Sequence, residues 1–151
     1  MSAMHDDLSR RLTAFGAAPS EIRSLRDKSA ATIEFLDLQR EQSGRADLPF
    51  VAPDAVVLVN GQPLLYAVNV ESLPAFGDVE VGLVSLRSAL ACRGEKSYLA
   101  IVHPGQIELV SAHYAPDLAD SLLVRAGDRR ADFLIRDLAA GVPPGSIERQ
   151  R

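Results

Sequence analysis

The side chains that could carry chemistry are few in this sequence and lie far apart. His103 and His113 flank a predicted strand, and a histidine pair can act in acid–base chemistry or bind a metal ion. No cysteine or third histidine stands at ligand spacing from them, which favours turn or surface roles. Cys92 neighbours Arg93, whose charge favours a reactive thiolate, but no histidine is placed beside it, which favours a buried, inert thiol.

One face of a predicted strand is a better candidate for a site. Side chains alternate along a strand, so the run after Asn60-Gly61 divides into an apolar face of Tyr66, Val68 and Val70 and a second face of Ala67, Asn69 and Glu71. A functional site on this strand would therefore lie on the second face. Taken alone, Asn69 is expected to hydrogen-bond a neighbouring backbone group, and Glu71 to lie at a solvated strand end.

Several classes of site are excluded. The single cysteine rules out an intramolecular disulfide and a zinc site built on cysteine thiolates. The sequence contains neither a Gly-x-Ser-x-Gly elbow nor a glycine-rich phosphate loop. No apolar run approaches the roughly 20 residues that span a bilayer, and Met1–Arg11 lacks the apolar stretch of a signal sequence, so a cytoplasmic location and no membrane partner are expected.

Composition indicates one globular domain. The chain has 151 residues, 47% hydrophobic and 24% charged, and a formal net charge of -4. An acidic chain has no overall electrostatic attraction to nucleic acid, and the short clusters Arg129-Arg130 and Arg149–Arg151 are expected to be solvated. We expect a single domain over residues 1–141, with an N-terminal helical extension over about 1–43 and a disordered tail over 142–151.

The elements that must position these residues begin with two helices. Leu8, Leu12 and Phe15 have helical spacing over Asp6–Phe15, and Gly16 ends this helix. Pro19-Ser20 opens a second predicted helix over Ser20–Gln42. Its apolar stripe ends before Ser43-Gly44 and consists of Ile22, Leu25, Ile33, Leu36 and Leu38.

Strand patterns follow. Asp54–Glu71 contains two β-rich runs separated by Asn60-Gly61, a strong hairpin signal, and the first run is apolar on both faces, as in a strand covered on both sides. Tyr98–Val102 and Ile107–Val110 flank a Pro-Gly turn and predict a second antiparallel pair. The segment between the two strand pairs is predicted to be a helix from Asp78 to Gly94. Its apolar residues recur at helical spacing and are Val79, Leu83, Leu86 and Leu90.

The C-terminal part of the chain is ambiguous. Pro116–Ala140 is predicted to be helical in one or two pieces, ended by Gly141, although Ser121–Arg125 is also compatible with an extra strand. The whole pattern predicts an α/β fold, α+β in strict terms, with a mixed sheet of about four to five strands flanked by helices.

This order of elements resembles the PD-(D/E)XK nuclease-like fold, particularly the nuclease domains of restriction motor subunits. The resemblance covers roughly Ser29 to Ala112. Four places carry it: Glu34 in the helix before the sheet, Pro53-Asp54 at the position of the Pro-Asp motif, the hairpin of residues 60–64, and Tyr98–Val102 with the turn at Gly105.

The sequence departs from that family at its catalytic motif. In that family, a strand ends with an acidic residue, any residue and a lysine. In this sequence, Ala67 stands at the position of the acid and Asn69 at the position of the lysine. In the family two carboxylates hold Mg²⁺ and the lysine orients or activates water. If the site were active, the resemblance implies a rewired set with Asp54 and Glu71 on Mg²⁺ or Mn²⁺, joined by Glu34 in one version, and Lys96 or Asn69 on the water or phosphate.

Two functional interpretations follow from the resemblance. The lost motif favours a non-catalytic or weakly catalytic nuclease-fold module that needs no cofactor and binds a protein, or nucleic acid, within a defence or repair assembly. The alternative is a Mg²⁺-dependent DNA endonuclease with the rewired site. Without the metal, Asp54 is expected to satisfy a turn after Pro53, and Glu34 to lie on a solvated helix face.

A third interpretation belongs to another class. The order of helix, hairpin, helix and hairpin is also similar to that of roadblock-type dimerisation domains, which regulate small GTPases through a shared sheet without catalytic residues. This alternative implies a homodimer. A strand at Ser121–Arg125 would favour it, whereas convergence of Glu34, Asp54 and Glu71 would favour the nuclease-like interpretation.

Overall fold

Six strands form one open mixed sheet, and helices pack on both of its faces. A computed structural model describes residues 3–25, 29–44, 52–73, 86, 97–110, 122–128 and 131–141. The strands are β1 (Ile22–Ser24), β2 (Ala55–Val59), β3 (Gln62–Asn69), β4 (Tyr98–His103), β5 (Gln106–Val110) and β6 (Leu122–Arg125). The helices in these residues are α1 (Ala3–Thr13), α2 (Ser29–Ser43) and α3 (Leu134–Ala139).

The strands lie in the sheet in the order in which they occur in the chain. Neighbouring strands are antiparallel except β3 and β4, which are parallel with Asn69 opposite Val102. A parallel neighbour requires a long crossover, and residues 70–97 connect these two strands. The α+β class and the mixed sheet are as predicted, with six strands instead of four to five.

Both predicted hairpins are confirmed. Asn60 and Gly61 connect β2 to β3 with φ of 54° and 77°, the two positive values that a type I′ turn requires. Gly105 has φ 75° in the turn between β4 and β5, as the third residue of a type II turn needs. Turn chemistry therefore sets the register of four of the six strands.

Each face of the sheet has its own apolar cluster. The first, the α1 face, joins α1 and α3 to all six strands, and it contains Leu8, Leu12, Phe15, Ile22, Ala55, Val57, Leu65, Ala67, Ala100, Val102, Ile107, Leu109, Val124, Leu134, Ile135 and Leu138. The second, the α2 face, contains Phe35, Val56, Tyr66, Val68, Leu86, Leu99 and Ile101. The central strands are thus covered on both sides, as the two-sided apolar pattern of β2 predicted.

The end of α1 makes close contact with α3. Gly16 ends the helix with φ 95°, and a Cβ there would lie 2.5 Å from the Asp132 carbonyl oxygen. The Ile135 N–H donates to the Phe15 carbonyl at 3.0 Å. Nearby, both guanidinium NH₂ groups of Arg136 donate to Glu21, at 2.8 and 3.0 Å. The two helices therefore hold each other against the sheet.

The second predicted helix is wrong at its start. Residues 19–21 form a 3₁₀ turn, Ile22–Ser24 pair with β2, and the helix begins only at Ser29. Ile22 and Leu25 fit a helical stripe because they are three residues apart, but Ile22 lies opposite Val57 in the sheet. Part of the predicted N-terminal extension is thus an edge strand of the main sheet.

The helical prediction for Pro116–Ala140 is also wrong in part. Leu122–Arg125 form the strand β6, paired with β5, as the alternative had allowed. Among the described residues of this stretch, a 3₁₀ turn at Ala131–Phe133 leads into the α-helix Leu134–Ala139, which Gly141 follows. The predicted Asp78–Gly94 helix lies outside the described residues except for Leu86, which is buried on the α2 face. The predicted tail over 142–151 also lies outside them. Within the described ranges, no helix combines the length and apolar character needed to cross a membrane.

Candidate functional site

Polar side chains gather where β3 and β4 finish. Antiparallel pairing places the start of β2 at the same end of the sheet, so Asp54 lies beside Asn69. Both are buried, with 4% and 2% of their surface exposed. Helix α1 brings Asp7 and Arg11 to this place, and Glu71 follows β3. We call these five residues the polar end.

Asp54 has a structural role that connects three strands. Its carboxylate Oδ2 accepts a hydrogen bond of 2.7 Å from the Asn69 backbone N–H. Its own N–H donates to the Ala67 carbonyl, and its carbonyl accepts from the Leu25 N–H, both at 2.8 Å. Asp54 thus anchors the start of β2 to β3 and to the end of β1.

Asn69 faces α1, on the face that the alternation pattern predicted. Its side-chain Oδ1 accepts a hydrogen bond of 2.8 Å from Arg11 Nη1. The expected bond from this side chain to a neighbouring backbone group is therefore replaced by a bond to a side chain. Asn69 links Asp54 to Glu71, because its backbone N–H donates to Asp54 and its side chain accepts from Arg11, the arginine that binds Glu71.

Arg11 is the centre of the polar end. Its two NH₂ groups donate to the two Glu71 carboxylate oxygens, each at 3.0 Å, and Nη2 lies 2.8 Å from Asp7 Oδ2. The fork geometry of a guanidinium suits such a bidentate bond. The hydrogen bond from Arg11 lowers the pKa of Glu71, and the same bond raises the pKa of Arg11. Both groups are therefore charged at neutral pH.

The lowered pKa of Glu71 predicts an acid-sensitive contribution to stability. A carboxylate with a depressed folded-state pKa stabilises the fold above its ordinary value of 4.5, and this stabilisation is lost as the pH falls through the folded-state pKa. We expect Glu71→Gln to lower the urea midpoint at about pH 7 and to have a much smaller effect at about pH 3. Asp37→Asn, in the exposed pair with Arg40, is the matched control. An equal effect of Glu71→Gln at both pH values would contradict this prediction.

The other predicted site residues do not join the polar end in the described structure. Glu34 is exposed on α2, as its helix position suggested. Lys96 lies outside the described residues, as do His113, Cys92 and the two arginine clusters. Among the residues that the structure describes, no three His, Cys, Asp or Glu side chains are grouped so that they could hold a metal ion.

A histidine–carboxylate pair lies on the hairpin formed by β4 and β5. His103 Nε2 is 3.4 Å from Glu108 Oε1, and both side chains are about a quarter exposed, at 24% and 25%. His103 also contributes to the lowered pKa of Glu71 through its charge. The sequence predicted a turn role for His103, and the structure places it as the last residue of β4.

Sequence reasoning missed Arg11, which belongs to the first helix and is separated from Glu71 by 60 positions. No motif spacing links two such residues, so only the fold could reveal the pair. Comparison of the chain with family models, curated proteins and solved structures gives no match.

Proposed function

We propose that this chain is a non-catalytic, nuclease-fold module that binds a protein partner within a larger assembly, of the kind used in defence or repair in the cytoplasm. One observation carries the proposal. Asn69 and Glu71, which would serve a rewired nuclease site, are both bound by Arg11.

The chemistry of hydrolysis supports this choice. Metal-assisted phosphodiester hydrolysis needs free carboxylate oxygens for the ion and a group that orients water. Here Asp54 Oδ2 accepts a hydrogen bond from a backbone N–H, and both Glu71 carboxylate oxygens accept hydrogen bonds from the Arg11 guanidinium. Ala67 occupies the position at which the resemblance implies an acid, and it is fully buried.

Charge favours a protein partner over nucleic acid. The formal net charge of -4 opposes binding to a phosphate backbone, whose affinity comes largely from lysine and arginine. The arginine at the polar end, Arg11, is already neutralised by Asp7 and Glu71. A phosphate group would therefore have to displace two carboxylates to reach its guanidinium.

The test is a cleavage assay on plasmid and single-stranded DNA in Mg²⁺ and in Mn²⁺, with the natural chain beside Glu71→Gln and Asp54→Asn. These substitutions remove the negative charges but keep oxygen acceptors, so they test chemistry with little change in shape. We expect no cleavage above the buffer rate by any of the three proteins. Cleavage by the natural chain that is lost in both variants would establish the endonuclease alternative and overturn the proposal.

A second candidate is the roadblock-like homodimer, and β6 is the observation that favours it. Leu122–Arg125 form the strand that this alternative called for, and the Leu123 side chain on it is 44% exposed. This candidate predicts a dimer by light scattering and a monomer for Leu123→Lys. A natural chain that is monomeric at high concentration would exclude it, and Phe133→Lys, at another exposed apolar residue, is the matched control.

A further inference from the structure

Three oxygen-bearing side chains converge on one positive charge at the polar end. Asp7 Oδ2 and Asn69 Oδ1 each lie 2.8 Å from a guanidinium nitrogen of Arg11, and the Glu71 oxygens lie at 3.0 Å. They come from three separate elements: α1, the end of β3 and the 3₁₀ turn after it. Two carboxylates and an amide oxygen are the donor types that hard divalent cations use in proteins.

The guanidinium is fixed in this position by the core. Leu8 and Leu12 on the same helix are 1% and 0% exposed on the α1 face, so α1 cannot lift away without exposing the main apolar cluster. The Arg11 side chain itself is only 16% exposed. Its charge is permanent, because an arginine stays protonated at any physiological pH.

We propose that Arg11 is the built-in cation of the polar end: its guanidinium takes the place of a divalent metal ion among Asp7, Asn69 and Glu71 and excludes such an ion. This inference deepens the proposed function and rests on it. The Arg11 guanidinium stabilises the three oxygen-bearing side chains, but it cannot perform the chemistry of a metal ion in hydrolysis.

The test is removal of the charge while an unbranched side chain of the length of the arginine stem, Cβ to Nε, is kept. Arg11→Met is compared with the natural chain by Mn²⁺ binding, read from the electron paramagnetic resonance signal of free Mn²⁺, and by thermal unfolding with and without Mn²⁺. We expect Arg11→Met to lower Tm without metal, to recover much of that loss with Mn²⁺, and to bind Mn²⁺ roughly tenfold or more tightly than the natural chain.

Two controls identify the site. Arg40→Met removes an arginine from an exposed pair with Asp37 and should leave Mn²⁺ binding unchanged. The double variant Arg11→Met with Glu71→Gln should lose the gained binding. If Arg11→Met is unfolded without metal, recovery of its circular dichroism spectrum on adding Mn²⁺ becomes the readout, with recovery expected.

Three outcomes would overturn the inference: an Arg11→Met protein that gains no Mn²⁺ binding and is neither stabilised nor refolded by the ion, a natural chain that binds Mn²⁺ as tightly as the variant, or a double variant that keeps the gained binding. None of these readouts depends on DNA. Cleavage by the natural chain would therefore refute the proposed function separately, whereas absence of a metal-binding gain would refute only the role given to Arg11.

Discussion

Replacing Gly16 with alanine is expected to destabilise the protein by about 2–5 kcal/mol, from backbone strain and overpacking together. Gly16 has φ 95°, a conformation that L-residues rarely adopt. The added Cβ would also lie 2.5 Å from the Asp132 carbonyl oxygen, which is backbone and cannot rotate aside. Urea unfolding at neutral pH measures the loss directly.

Gly44 provides the matched control for this experiment. It follows α2 as Gly16 follows α1, and it has φ 70°, but a Cβ there would meet nothing within 4 Å. Gly44→Ala therefore carries strain without a clash and should cost only about 1 kcal/mol. If the two variants lose the same stability, the close contact between α1 and α3 makes no contribution and the prediction fails.

Asp54→Ala is expected to cost about 2–3 kcal/mol, because the Asn69 N–H loses a charged acceptor in a buried place. The carboxylate Oδ2 lies 2.7 Å from that nitrogen, and Asp54 is 4% exposed. Asp54→Asn retains an oxygen acceptor of nearly the same shape, so its cost should be clearly smaller, below about 1.5 kcal/mol. Denaturant unfolding in a chelator measures both without any contribution from metal ions.

The same pair of variants tests whether Asp54 is structural. If Asp54 is structural, the Asp54→Ala protein is much less stable than the Asp54→Asn protein when both are unfolded in the chelator. An Asp54→Ala protein as stable as the natural chain would show that the hydrogen bond to Asn69 contributes nothing, and Asp54 would need another role. Asp37→Ala, on the exposed face of α2, should change stability by less than about 0.5 kcal/mol.

Turns and strand faces were predictable because they depend on neighbouring residues. Asn60-Gly61 defines a hairpin by its own backbone preferences, and the alternation from Tyr66 to Asn69 assigns each side chain to a face. The structure places Tyr66 and Val68 on the α2 face, and Ala67 and Asn69 towards α1. These features needed no knowledge of distant contacts.

The errors arose where distant partners decide the structure. The spacing of Ile22 predicts a helix, but its pairing with Val57, from which the whole of α2 separates it in the chain, makes it part of a strand. The polar strand face was found, yet its main partner was not, because Arg11 reaches it only through the packing of α1 on the sheet. Local spacing contains no information on such pairs.

The parallel ladder between β3 and β4 has a consequence for how the protein unfolds. It joins two antiparallel meanders, β1 to β3 and β4 to β6, and the α1 face is built from both of them. α1 packs across this joint face, and α3, from the other end of the chain, binds the end of α1. Neither meander can bury its apolar face alone, so the sheet opens as one cooperative unit and not as two independent halves.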